Sequence, residues 1–103
     1  MPTLIMLSTL RDGADRDAYE RWARDVDRPT VLALPSIDDW RLYRVAGALG
    51  DGAEAPCDYV EVAKVNDLEQ LERDLGTETA AELTRALHEH CEPPTFLTSE
   101  QVA

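Results

Sequence analysis

The stretch Tyr19–Val45, YERWARDVDRPTVLALPSIDDWRLYRV, constrains the fold more than any other part of the chain. Tyr19, Trp22, Ala23 and Val26 follow i, i+3, i+4, i+7 spacing, which lays an apolar stripe along one face of a helix. Glu20, Arg21, Arg24 and Asp25 fall on the opposite face. Asp15 is placed to cap this helix, with Asp17 in its first turn, where carboxylates suit the positive end of the helix dipole. Pro29 has no N–H to continue the helix but is tolerated at the start of a new turn. The corner Asp27-Arg28-Pro29-Thr30 therefore leads into a short helical piece, Pro29–Leu34, stopped by Pro35. A strand follows at once: over Ile37–Val45 the side chains alternate, with Trp40, Leu42 and Arg44 on one face and Arg41, Tyr43 and Val45 on the other.

The flanking segments complete a pattern. Met1–Leu10 is nearly continuous in apolar and β-favouring residues from Thr3 onward, as in a central strand covered on both faces. Asp58–Val65 is a third strand, with Tyr59, Glu61 and Ala63 on one face and Val60, Val62 and Lys64 on the other. Asn66 or Asp67 caps a helix from Leu68; Gly76-Thr77 interrupts it, and a second helical run reaches about Cys91. Pro93-Pro94 ends that run before a last strand at Thr95–Thr98. The order is β-α-β-β-α-β over a single domain, residues 1–103. It predicts an α+β, ferredoxin-like sandwich: an antiparallel four-stranded sheet of order 4-1-3-2, right-handed crossovers, and helices on one face. One covered face cannot bury both apolar sets of side chains on these strands. A second copy packed sheet to sheet resolves this, so a homodimer is expected.

Composition narrows the partners. Apolar content of 44% with 30% charged residues describes a globular, soluble chain. No apolar run approaches the roughly 20 residues that span a bilayer, and no basic residue precedes the apolar N-terminal run. A net charge of −11 repels nucleic-acid phosphates and anionic membranes, so neither is expected as a partner, and a cytoplasmic location is. Cys57 and Cys91 are too few and too far apart for a metal knuckle, and read as reduced thiols.

Several side chains carry possible chemistry. Glu61 shares a strand face with Tyr59; in a partly apolar cleft beneath the helices such a carboxyl rises in pKa and can relay protons near neutral pH. The alternative is that Glu61 pairs with a cross-strand Arg and is structural. Asp27 either caps the turn at Arg28 or meets a substrate proton at the cleft mouth, where Thr30 offers a second hydrogen bond. His88 and His90 are the only histidines and flank opposite edges of the stripe Leu83, Leu87, Cys91. At two residues apart they diverge and form no metal pair; both suit a helix C-terminus, and His90 is the candidate acid/base of the two. Trp40 or Tyr43 can stack on a planar ligand. Neither a Ser-His-Asp order nor a phosphate-cradling glycine loop is present.

The residues Tyr19–Arg24, Asp27-Arg28-Pro29-Thr30, Leu34-Pro35-Ser36 leading into Trp40–Tyr43, and Tyr59-Val60-Glu61-Val62 with Asn66-Asp67 resemble the RedY/HapK-like proteins. These belong to the EthD-type branch of the dimeric α+β barrel superfamily and are found with prodiginine and bisindole biosynthesis genes. The resemblance implies a small enzyme or accessory protein, without metal, flavin or other cofactor, acting on an indole- or pyrrole-derived aromatic intermediate by cyclisation or dehydration. Together with the residues, it implies proton transfer by Glu61, Asp27 or His90 in a cleft lined by Trp40, Tyr43, Tyr59 and Thr30. A cofactor-free monooxygenase and a non-catalytic binder of an unstable intermediate are the alternatives. The cluster Leu87-His88-Glu89-His90-Cys91 departs from the family pattern.

Overall fold

A computed structural model describes residues 2–103. Strand β1 (Pro2–Ser8) leads to helix α1 (Arg16–Trp22), a single wide π-helical turn (Ala23–Asp27) and helix α2 (Arg28–Leu32). Strands β2 (Ile37–Arg44) and β3 (Tyr59–Val65), helices α3 (Leu68–Leu75) and α4 (Glu78–His90), and strand β4 (Thr95–Glu100) follow. The sheet order is β2-β3-β1-β4, all neighbours antiparallel, as the sequence predicts. Of the first strand expected over Met1–Leu10, Met1 lies outside the described residues, and Leu10 makes only an isolated bridge to Cys91.

Local chemistry explains the element ends. Asp15 accepts from the Ala18 N–H at 3.2 Å, Asp67 from Glu69 and Gln70, and Thr77 from Ala80, so each helix that starts after a break satisfies its free amides with its own cap. Asp27 does not cap. Its backbone is helical and its carboxylate accepts nothing from the α2 amides, because the chain never leaves the helix there. Instead the Arg28 N–H reaches back five residues to the Ala23 carbonyl. The missing amide and the bulk of Pro29 are absorbed by one inserted residue rather than by a break.

The inserted residue turns the helix face by one position. Val26, expected in the apolar stripe, is 45% exposed, whereas Asp27 is only 8% exposed. The wide turn thus moves the buried position from 26 to 27 and delivers a carboxyl to the interior.

Register sorts the strands. Met6 faces Glu61 and Phe96 across its neighbours, Leu4 faces Ala63, Ser8 faces Tyr59, and on the other side Trp40 faces Ala63, Leu42 faces Glu61 and Arg44 faces Tyr59. These residues share the helix-covered face. The opposite face carries Ile5, Leu7, Val60, Val62, Tyr43 and Leu97, and among the described residues no helix covers it. Beneath the helices the core forms two clusters, one around Met6, Tyr19, Tyr59, Leu87 and Cys91, the other around Ile37, Trp40, Ala63, Val65 and Leu71. A cavity lies where they meet. Among the described residues no helix is long and apolar enough to cross a membrane.

Candidate functional site

The cavity has a volume of about 100 Å³. Its walls are apolar, from Met6, Trp22, Ile37, Trp40, Ala63 and Leu87 among others, and the half-exposed Leu75 and Phe96 stand at its margin. Two carboxyls line it: Glu61 from the middle of β3 and Asp27 from the wide turn. Glu61 is 7% exposed, and among the described residues no salt bridge reaches either acid. Its cross-strand neighbours are Leu42 and Met6, so the Arg partner that would have made it structural is absent.

Electrostatics follow from that isolation. Burial pushes Asp27 up to about 6. Burial, with the nearby Asp27 charge adding to it, pushes Glu61 up to about 7. The Trp40 indole slightly favours the Glu61 carboxylate, yet its buried Nε1 has no hydrogen-bond partner. An orphaned donor and two carboxyls raised toward neutrality thus face one small apolar space. Such groups cost stability, which makes them candidates for function.

Behind Trp40 lies a second concavity, an open groove of about 330 Å³ between α1, α2 and the edge strand β2. Here the carboxylate is Glu20, and its surroundings are the reverse of those in the cavity. Arg44 Nε donates to Glu20 Oε2 at 2.7 Å, with a second bond from the same guanidinium to Oε1; the Tyr59 hydroxyl donates to Oε2 at 2.6 Å, and Arg24 sits 3.8 Å away. These donors hold Glu20 down at about 2, while burial, helped by the bond to Glu20, lifts the Tyr59 phenol to about 12.

The structure brings Glu61, Asp27 and Trp40 together on one cavity. Tyr59 lies on the same sheet face, but its hydroxyl belongs to the groove. Tyr43 is 50% exposed on the opposite face of the sheet, paired with Val60, so it cannot line a cleft with Trp40: their three-residue separation on a strand puts them on opposite sides. Thr30 donates to the Val26 carbonyl at 2.6 Å, and its hydroxyl is spent inside the helix. His90 packs its ring at a tilt, 5.6 Å from the Tyr19 ring and 5.7 Å from that of Trp22, and is not among the cavity walls. The end of α4 turns that imidazole onto the α1 aromatics. Glu20 and Arg44 were not singled out in the sequence; Glu20, Arg24 and Arg28 at successive four-residue steps formed a stripe that could have been noticed.

Sheet, helices and an apolar hollow between them that holds two carboxyls define a ferredoxin-like α+β protein. More narrowly, residues 2–102 match the family model of the REDY-like protein HapK, and the chain belongs to that family. The crystal structure of HapK from Hahella chejuensis is 36% identical, superposes with a TM-score of 0.82, and is matched over 99% of this chain and 93% of that one. An EthD family protein from Bacillus halodurans is 17% identical with a TM-score of 0.76, covering 99% of both chains. A dimeric ferredoxin-like protein of unknown function from Thermobifida fusca is 13% identical with a TM-score of 0.73, over 97% of this chain and 90% of that one. These last two share the fold alone. No curated protein matches the sequence.

Proposed function

We propose that this protein is a cofactor-independent acid/base catalyst for a small aromatic, indole- or pyrrole-type intermediate, promoting cyclisation or dehydration through protonation at carbon. One observation carries the reading: two buried carboxyls, Glu61 and Asp27, face an apolar cavity with no cation beside them. With values near 7 and 6, the pair holds roughly half a proton at neutral pH, mostly on Glu61, so Glu61 is a ready acid and Asp27 a ready base. The charge sign matters as well. A cavity that keeps carboxylates and omits guanidinium groups favours a cationic intermediate, such as a ring protonated at carbon, over an oxyanion. That favours acid catalysis over the monooxygenase reading, which needs a deprotonated substrate next to these acids. Trp40 Nε1, lacking any protein acceptor, is available to a polar atom of the ligand.

The chain also works as a homodimer in this reading. The uncovered sheet face presents Ile5, Leu7, Val60 and Val62 with Tyr43 and Leu97, a surface whose exposure to water is unfavourable and which a second copy would cover. The Thermobifida protein of this fold is dimeric, which adds support. Light scattering should give twice the chain mass, and Val62→Asp should give one; a wild-type monomer at micromolar concentration counts against it. Two unpaired cysteines suit a cytoplasmic setting.

The catalytic test is exchange of the indole C3 hydrogen in D2O, followed by proton NMR. Wild type should accelerate it, equally with and without oxygen, and Glu61→Gln should lose about 100-fold or more of the acceleration. Asp27→Asn should lose a comparable amount, while His90→Ala should not. Acceleration untouched by both acid substitutions ends the proposal; indole binding without any acceleration would establish a binder instead.

A further inference from the structure

The groove behind Trp40 concentrates positive charge in an acidic protein. Four of the ten basic residues gather there: Arg24, Arg28 and Arg44 line it, and Arg16 stacks its guanidinium 5.7 Å from the Tyr59 ring at its end. Glu20 is the only acid among the lining residues, and it is already occupied by Arg44 and the Tyr59 hydroxyl. Arg24 has only its 3.8 Å approach to Glu20. Arg28 donates one bond to the Trp40 carbonyl on the edge strand, which anchors the side chain across the groove. Its remaining N–H groups have no protein acceptor among the described residues, and a guanidinium carries five.

Three of the nine arginines of a chain with 21 acids line this one concavity, against a single carboxylate that already accepts from Arg44 and Tyr59. The groove is also far larger than the inner cavity, and Trp40, Leu42 and Tyr59 give it a flat, partly aromatic wall. Trp40, 3% exposed, lines both spaces, so the same ring closes the cavity on one side and walls the groove on the other. Planar guanidinium forks match carboxylates in geometry and charge, and aromatic walls match planar rings.

The geometry points to a binding site for a planar aromatic carboxylate, with its ring against Trp40, Leu42 and Tyr59 and its carboxylate held by Arg24 and Arg28. Glu20 is a positioning residue: it fixes Arg44 and the Tyr59 hydroxyl so that the wall is rigid before the ligand arrives. The site stands beside the proton-transfer cavity and does not require Glu61 to titrate.

The probe is 2-naphthoate, compared with the neutral 2-naphthamide and the cationic 2-naphthylmethylamine, by calorimetry and by the Trp40 indole N–H resonance. Wild type should bind the carboxylate about tenfold more tightly than the amide, with the amine weakest. The double variant Arg24→Gln/Arg28→Gln should erase that preference while keeping the amide affinity. Arg24→Gln alone, which leaves the Arg28 bond to Trp40 in place, should reduce it about threefold. Arg85→Gln, on α4 and paired with Glu78, should leave it intact. No binding at millimolar naphthoate, an equal affinity for the amide, or a preference that survives the double variant overturns the inference. Loss of the preference in Arg85→Gln also overturns it, because net charge rather than the groove would then be responsible. Failure here leaves indole exchange unaffected, so the two readings fall separately.

Discussion

Glu20 and Glu61 are the same residue placed on either side of Trp40, and they titrate in opposite directions. Glu20 accepts from two residues and is held near 2; Glu61 is enclosed by apolar walls with a second acid for a neighbour and rises to about 7. One shared wall, Trp40, stands between an anchor for arginines and a group able to exchange protons at neutral pH. The acid's role lies in its donors, not its identity: charge-assisted hydrogen bonds fix a carboxylate, while desolvation makes a carboxyl keep its proton into the neutral range. Asp74 makes the same point for structure. Ser36 donates to it from backbone and hydroxyl at 3.0 and 2.6 Å and Gln70 at 2.7 Å; these bonds pull it below its usual range, and it joins α3 to the start of β2.

The most forceful way to break the contrast is to give Glu61 what Glu20 has. Leu42 is its cross-strand neighbour, so Leu42→Arg sets a guanidinium beside the carboxyl. Carbon-13 NMR should show the Glu61 midpoint falling from about 7 by roughly 1–3 pH units, with indole exchange down about 100-fold. An unmoved midpoint with exchange intact would mean that the apolar walls and the neighbouring acid do not set its proton affinity.

Removing the charge should sharpen the comparison through stability. The folded-state value near 7 lies above the ordinary 4.5, so the folded protein keeps a proton that the unfolded chain releases. The associated stability is full below 4.5 and is lost as pH rises through 7. Glu61→Gln should therefore be more stable than wild type at pH 8, by up to about 3 kcal/mol, with no such gain near pH 4. Urea denaturation across that range measures it, and the gain should shrink in the Asp27→Asn background because the two acids interact. A variant that is equally stable or weaker at pH 8 contradicts the buried, unpaired placement.

The smallest effect belongs to the groove. Glu20→Gln removes the carboxylate charge beside the Tyr59 hydroxyl, so the phenol should titrate below about 12 yet stay above its ordinary 10, since burial is the larger cause. The melting temperature should drop only a few degrees, because Arg44 is bathed by water. That loss should appear above the ordinary carboxylate range and vanish as pH falls toward 2, where wild-type Glu20 also protonates.

Much of this was readable in the residues. Period-two alternation put Tyr59, Glu61 and Ala63 on one strand face, and the apolar first strand marked a central position, so the sheet order followed. The Asp-x-Pro-Thr corner drew attention to Asp27 without showing how it acts. A helix ending before Pro29 would have left it a cap; the wide turn made it a buried acid, and the choice between those depends on the packing of α1 and α2 over the sheet. His90 and Tyr43 were credible by type, but ring packing and strand parity assign them elsewhere. Glu20 and Arg44 are 24 residues apart, and nothing local links them.

By itself, then, the sequence determined the elements, their faces and the family, because hydrophobic period, caps and proline breaks act over a few residues. The tertiary structure alone decided which acids are stripped of water and which are clasped by arginines. Desolvation and ion pairing depend on neighbours brought from distant parts of the chain, and only the folded packing of β2 and β3 against α1 and α2 brings them there.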